Sequence, residues 1–176
     1  MNYRYIYLIK KWPYSGFGED FDSKFSYNTW TLCNFLSRHV RKLHLPTDGD
    51  YNLLSCAITK EKDHVRVCSV NCLDVSLHVS DSEIQRYLAM RSEQERFEFY
   101  FSLLERGYRL AALSHSVPID DFLRLHQQFR DLGYRNEWLF KKVMLREYGI
   151  KVILEHVLTQ YEYNLRLTVT TLKGEY

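Results

Sequence analysis

The chain has 176 residues, of which 45% are hydrophobic and 26% are charged, and its formal net charge is +2. These values exclude a disordered chain, whose apolar content would be too low to form a core. They also exclude a strongly basic nucleic-acid-binding domain. A chain of this length can bury a full hydrophobic core without metals or disulfides, so we expect a single domain spanning residues 1–176.

The four cysteines and the opening segment both point to the cytoplasm. Cys33, Cys56, Cys68 and Cys72 contain no C-x-x-C spacing, so we expect neither a zinc knuckle nor a redox motif. The apolar part of the opening segment "MNYRYIYLIKKW" is too short and too rich in tyrosine for a signal peptide. No run of about 18 apolar residues predicts a membrane span, so we expect a cytoplasmic protein with reduced cysteines.

The first third of the chain predicts a strand, a loop and a helix. "NYRYIYLIK" is rich in tyrosine and isoleucine and predicts a strand, which the loop-like "WPYSGFGEDFDS" ends. "YNTWTLCNFLSRHVRKLHL" carries its apolar residues at helical spacing. The basic "SRHVRKLH" (Ser37 to His44) is interpreted as the solvated face of this helix. The low net charge of the chain gives little support to nucleic-acid binding through this helix.

A β region follows the turn "LPTDGD". "YNLLSCAIT" and "VRVCSV" flank the polar "KEKDH" and predict a hairpin. "CLDVSLHVS" alternates strictly, with Leu73, Val75, Leu77 and Val79 on one side of the strand. One apolar and one polar side predict a sheet that is covered on one face.

Residues 80–133 predict three helices. Ser80 with Glu83, and Ser92 with Glu95, have the spacing of capping boxes at two helix starts. Gly107 is expected to end the second helix. The third helix is expected to start at Pro118 and to stop at Gly133.

The closing segment predicts three strands, "EWLFKKVML", "IKVILEHVL" and "YEYNLRLTVTTL", joined by short turns. Short connections force antiparallel neighbours, so these strands form a meander. Tyr161, Tyr163, Leu165, Leu167 and Val169 are expected to share a face, which the helices would cover. The predicted fold class is therefore α+β: antiparallel sheet, with hairpin or meander segments at both ends of the chain and helices packed on one face.

No catalytic, cofactor or metal motif is recognisable. The seven histidines include no H-E-x-x-H and no pair four apart on a helix, so we expect no metal site. There is no G-x-S-x-G nucleophile motif, and "SGFGED" lacks the third glycine and the lysine of phosphate-binding loops. We therefore expect no catalytic residues, no cofactor and no enzyme activity.

Acidic residues cluster in the two loops that flank the first helix. They are Glu19, Asp20 and Asp22 before the helix and Asp48 and Asp50 after it. Solvated turn residues are one interpretation of this pattern. The other is an anionic patch that docks on a basic partner, with Tyr14 as an aromatic anchor in the same loop. These six residues are the predicted partner-binding set.

Three segments together resemble a known family. "SEQERFEFYFSLLERGY", a helix ending "FRDLGYRNEW", and "IKVILEHVLTQYEYNLRLTV" are similar to small bacterial immunity proteins that accompany contact-dependent growth inhibition toxins and other polymorphic toxins. The resemblance covers about Ser80 to Thr171. It implies a cytoplasmic protein that binds a cognate toxin domain and occludes its active site without catalysis. Such toxins are often nucleases with basic clefts, whereas this chain is slightly positive.

Two other functions stay open at this stage. One is a small hydrolase with a His–carboxylate site that is assembled only in the folded chain. The other is an adaptor or RNA-binding module, which a Lys/Arg surface beside exposed aromatic residues would favour. The lack of a recognisable catalytic set and the abundance of tyrosine together favour a protein that works by its surface.

Overall fold

The computed structural model describes residues 1–11, 17, 21, 25 and 28–172. It has the predicted α+β architecture, with helices and two sheets. The chain divides into two compact units, Met1–Tyr134 and Arg135–Tyr176. The single domain expected from the length of the chain stays a prediction.

In the described residues, the first unit contains a mixed four-stranded sheet and the four helices named below. The strands are β1 (Tyr5–Lys10), β2 (Leu53–Thr59), β3 (His64–Cys68) and β4 (Cys72–His78), in the order β1-β2-β4-β3. The helices are α1 (Trp30–Leu43), α2 (Asp81–Ala89), α3 (Glu93–Ala111) and α4 (Ile119–Asp131). Helix α3 contacts all four strands, and α4 packs against both α1 and α3.

The predicted β2–β3 hairpin is wrong. Strand β4 lies between them, parallel to β2 and antiparallel to β3. The reason is burial: every residue of β2 after Leu53 is buried, whereas no residue of β3 is fully buried. A strand that is buried on both faces takes a central place, and β3 suits an edge. The actual hairpin joins β3 to β4 and places Cys68 opposite Cys72.

The expected apolar side of β4 is confirmed, because Leu73, Val75, Leu77 and the following Val79 are all buried, but Ser76 on the polar side is buried as well. Both capping boxes are confirmed as well. The backbone N–H of Glu83 donates to Ser80 Oγ at 3.3 Å, and the Ser80 N–H donates to Glu83 Oε2 at 2.8 Å. The same reciprocal pair joins Ser92 and Glu95 at the start of α3. Such caps satisfy N–H groups that no helical partner can reach.

Helix α1 covers the outer edge of β1 with one stripe of side chains. Arg41 Nε donates to the carbonyl of Arg4, and Ser37 Oγ accepts from the Ile6 N–H at 3.1 Å. Cys33 Sγ accepts from the Leu8 N–H at 3.2 Å. Four residues of a helix advance about 6.0 Å along its axis, and two residues of a strand advance about 6.7 Å. Every fourth residue of α1 can therefore meet every second residue along β1.

The interpretation of Ser37 to His44 as a solvated face is therefore wrong at Ser37, which is buried. It holds for Arg41, Lys42 and His44, which are exposed. The buried hydroxyl protects an edge strand that would otherwise present unpaired backbone groups.

Replacement of Ser37 by alanine is expected to destabilise the protein by about 1–3 kcal/mol, because the buried Ile6 N–H loses its acceptor. The matched control is Ser102→Ala, since Ser102 Oγ bonds only the Phe99 carbonyl of its own helix. We expect that control to be nearly neutral. Urea denaturation of both variants makes the comparison, and equal losses would contradict the edge-covering role of Ser37.

The second unit is an antiparallel meander of β5 (Asn136–Leu145), β6 (Ile150–Leu158) and β7 (Tyr163–Thr171). A 3₁₀ turn (Arg146–Tyr148) and Gly149, whose φ is +61°, join β5 to β6. The predicted meander and its two short turns are confirmed. A β-bulge interrupts β5 between Leu139 and Lys141.

Candidate interaction surface

The acidic residue Asp48 joins two loops of the first unit. Its carboxylate accepts from the Tyr51 hydroxyl, and from the Ser116 backbone N–H at 2.6 Å. These two hydrogen bonds lower the pKa of Asp48 below its ordinary value. Both carboxylate oxygens therefore have partners within the chain, and the side chain is about one-third exposed.

Asp50, the other described member of the predicted set, is exposed. Tyr14, Glu19, Asp20 and Asp22 lie outside the described residues. Their partner-binding role stays a prediction.

A hydroxyl and an imidazole meet where β3 pairs with β4, because Ser76 Oγ lies 3.2 Å from His64 Nε2, but Ser76 is fully buried. In the described part of the chain, no three His, Cys, Asp or Glu side chains are placed to hold a metal ion. The Nδ1 atom of His115 lies 3.5 Å from Asp48 Oδ1. No hydroxyl or thiol among the described residues hydrogen-bonds to His115, so this pair has no nucleophile to activate.

A cleft of about 340 Å³ lies between β1 and α1. Tyr7 lines it from the strand, and Trp30, Arg38 and Arg41 line it from the helix. Trp30 is 63% exposed, and the Arg41 guanidinium lies 4.5 Å from the centre of the Tyr5 ring. The described residues of this cleft include no carboxylate and no histidine, so they offer cationic and aromatic contacts but no acid–base pair.

One side of the β5–β7 meander is strongly apolar. Directly paired residues of neighbouring strands project from the same side of a sheet, so the register defines this surface, which we call the meander face. Its apolar members are Trp138, Val143 and Leu145 from β5, Ile150, Val152, Leu154 and Leu158 from β6, and Tyr163, Leu165, Leu167 and Val169 from β7.

The β7 side chains of the meander face are more than half exposed. The exposed fraction is 54% for Tyr163, 57% for Leu165, 62% for Leu167 and 55% for Val169. Their shared face is confirmed, but an exposed apolar row is not what the sequence predicts for a covered sheet. Contiguous exposed apolar area on a protein surface marks an interaction site.

An aromatic cluster lies at one end of the meander face. The His156 ring stacks on Trp138 with centroids 4.7 Å apart and on Tyr163 at 5.5 Å. Phe140, which the bulge adds to β5, meets His156 edge-on at 5.0 Å and is 62% exposed. The β-bulge therefore aims an extra ring outward, which is a known use of bulges.

The tyrosines divide between the two units by exposure. Tyr148, Tyr161 and Tyr163 in the second unit are 54–79% exposed. Buried tyrosines of the first unit contribute to its core instead; they are Tyr3, Tyr51, Tyr87, Tyr100 and Tyr108. The described tyrosines thus serve both a packed core and an exposed surface, and those more than half exposed lie in the second unit.

Sequence analysis identified the strand faces of the meander but did not assign its residues to a site. The signal that could have found them is the run of four apolar residues on one side of β7, beside a strand, β6, that is apolar at six of its nine positions. The Phe140 bulge has no comparable local signal, because a bulge depends on how the partner strand is paired.

No described helix is both long enough and apolar enough to cross a membrane. Comparison of the chain with protein-family models, with curated proteins and with solved structures finds no match.

Proposed function

We propose that the protein is an immunity protein that binds a cognate bacterial toxin domain and neutralises it by covering its active site. The observation that carries this proposal is the meander face, with its exposed apolar row and its aromatic cluster. A protein that acts by occlusion needs such a surface and needs no catalytic residues.

The chemistry of the meander face supports protein binding. Aromatic side chains dominate the energetics of protein interfaces, because they bury a large area with few rotatable bonds. Phe140, Trp138 and Tyr163 are grouped at one end of the face, where they offer a compact anchor. The aliphatic row on β7 continues from that anchor and would exclude water around it.

The immunity class rests on the resemblance of Ser80 to Thr171, a segment that includes all three meander strands. The nuclease activity of the toxin is a further part of the proposal. The exposed Asp50, together with Tyr14, Glu19, Asp20 and Asp22, would add an anionic contact that suits a basic nuclease cleft. Binding would take place in the cytoplasm, where an immunity protein meets an incoming toxin.

A single-stranded nucleic-acid-binding function is the second candidate, and the cleft between β1 and α1 favours it. Exposed Trp30 and Tyr7 stand there beside Arg38 and Arg41, a combination suited to base stacking and phosphate contacts. Binding of a single-stranded oligonucleotide by the intact chain, with an affinity that falls as the salt concentration rises, would favour this function over toxin binding. Such a fall is expected because phosphate contacts release counterions.

Replacement of Phe140 by alanine is expected to weaken toxin-domain binding by at least 30-fold, about 2 kcal/mol, because a hot-spot ring is lost. The candidate partner for this test is the C-terminal domain of a large secreted protein, if one is encoded immediately upstream of this chain's gene. Isothermal titration of that domain with the purified chain gives the two affinities.

The matched control is Leu113→Ala, an 82% exposed leucine of the first unit. We expect it to bind the toxin domain as the unaltered chain does. Equal affinity of the Phe140→Ala and Leu113→Ala variants would reject the meander face as the binding surface. Absence of a complex at micromolar concentrations with the unaltered chain would reject the immunity function itself.

A further inference from the structure

Strand β7 forms one edge of the meander, and among the described residues it is paired on one side only, with β6. The Leu172 N–H donates to the Gly149 carbonyl, and the Thr159 N–H donates to the Glu162 carbonyl. Backbone groups alternate in direction along an antiparallel strand, so the even-numbered residues of β7 bond β6. The odd-numbered residues 163, 165, 167, 169 and 171 direct their N–H and C=O groups outward.

This outward edge has none of the usual protections. Strand β7 contains no proline, glycine, lysine or bulge, and its only charged residue is Arg166. Every residue of β7 is exposed except Thr168, which is half-buried. Long, exposed and apolar edge strands are templates for pairing with another strand.

The opposite edge of the meander is protected. Strand β5 carries the bulge between Leu139 and Lys141, and it places Lys141 and Lys142 in succession. A bulge and consecutive lysines both disfavour the approach of another strand. The meander therefore offers one open edge, and an assembly built on that edge closes at two copies.

We propose that the protein forms a two-fold symmetric dimer in which β7 of one copy pairs antiparallel with β7 of a second copy, so that two meanders form one six-stranded sheet. The symmetry axis passes through Leu167, which faces its own counterpart. Leu165 then faces Val169 of the second copy, and Tyr163 faces Thr171.

The β7 sequence is complementary to itself in this register. All five outward-facing residues find a partner, and each such pair exchanges two backbone hydrogen bonds. Apolar residues face each other across the axis, and Arg166 faces Thr168 instead of a second arginine, so no like charges are directly opposed. These matches favour a second copy of this chain over an unrelated strand.

The dimer also suits the size of the meander. A three-stranded sheet is close to the lower limit for a stable sheet, and pairing doubles its strand number. Because the axis is perpendicular to the sheet, the two meander faces lie on the same side. A dimer would therefore present two copies of the aromatic cluster on one side of the sheet, at opposite ends of the paired β7 strands.

The test compares two double variants of the intact chain that alter the same positions. Leu165→Lys with Val169→Lys places like charges opposite each other in both symmetric pairs. Leu165→Lys with Val169→Glu places opposite charges there instead. Sedimentation velocity between about 1 and 100 µM measures the dimer fraction of each, with the unaltered chain as reference.

We expect the unaltered chain and the Lys/Glu variant to be dimers. The Lys/Lys variant should have a dimer dissociation constant at least 100-fold higher than that of the unaltered chain. Leu167→Pro serves as a second variant. Its missing N–H points outward, so the β6–β7 ladder is kept while the dimer contact is lost. A monomeric unaltered chain at the highest concentration would overturn the proposal, as would equal dissociation of the two double variants.

Discussion

Replacement of Gly107 by alanine is expected to destabilise the protein by about 2–3 kcal/mol, although alanine is the better helix former by about 1 kcal/mol. Helix α3 does not end at Gly107, as the sequence predicted, but continues to Ala111. A Cβ atom at Gly107 would lie 2.3 Å from Cys56 Sγ and 3.4 Å from Cys56 Cβ. Glycine is therefore required for the close approach of α3 to β2.

The steric account of Gly107 is tested by a double-mutant cycle with Cys56→Ala. Cys56 is fully buried on the central strand β2, so its sulfur cannot swing into solvent. Removal of that sulfur should recover at least about 1 kcal/mol of the loss in the Gly107→Ala background. Urea denaturation gives the four free energies of unfolding. A Gly107→Ala variant as stable as the unaltered chain would contradict the close contact.

Stability is expected to fall below about pH 6.5 because of His126, by up to about 1.4 kcal/mol per pH unit. This residue is buried, its Nε2 lies 3.2 Å from the Tyr108 hydroxyl, and its ring stacks on Phe101 at 4.4 Å. Burial lowers the pKa of His126 to about 3, and the nearby Arg130 acts in the same direction. Glu98 opposes this effect and does not outweigh it.

The sign of the His126 effect follows from the two pKa values. The unfolded chain takes up the imidazole proton near pH 6.5, whereas the folded chain takes it up only near pH 3. Between these values the unfolded state binds more protons, so acid favours it. The contribution is complete above about pH 6.5 and is lost progressively as the pH falls toward 3.

The variant His126→Gln isolates this contribution, because glutamine stays neutral. Its free energy of unfolding is measured beside that of the unaltered chain from about pH 4 to pH 8. The unaltered chain should be the more stable at neutral pH, and its advantage should shrink as the pH falls below about 6.5. A constant difference across the range would show that His126 is not buried in its neutral form.

Local signals predicted the parts of the fold that depend on neighbouring residues. The capping boxes at Ser80 and Ser92 marked two helix starts correctly, because a cap involves only residues three positions apart. The antiparallel meander followed from short turns, which leave adjacent strands no other arrangement.

Contacts between distant segments explain what the sequence could not show. The β2–β3 hairpin was wrong because the insertion of β4 depends on burial of both sides of β2. Gly107 was expected to end its helix because glycine is common there. Its actual role depends on Cys56, which is 51 positions away in the chain. Ser37 looked solvated because its acceptor role depends on the distant strand β1.

The candidate surface was predicted only in part. Alternation in β7 correctly grouped Tyr163, Leu165, Leu167 and Val169, but it could not show that they are exposed. Asp48 was assigned to an acidic docking patch on composition alone. In the structure its oxygens connect Tyr51 and Ser116, which a local sequence pattern does not encode.

Growth rescue tests most directly whether this protein acts by occluding a toxin. Cells are made to express the candidate toxin domain, with and without this chain. Occlusion predicts that the unaltered chain restores growth, that the Leu113→Ala variant does the same, and that the Phe140→Ala variant protects markedly less. Continued killing in the presence of the unaltered, folded chain would contradict the proposed function.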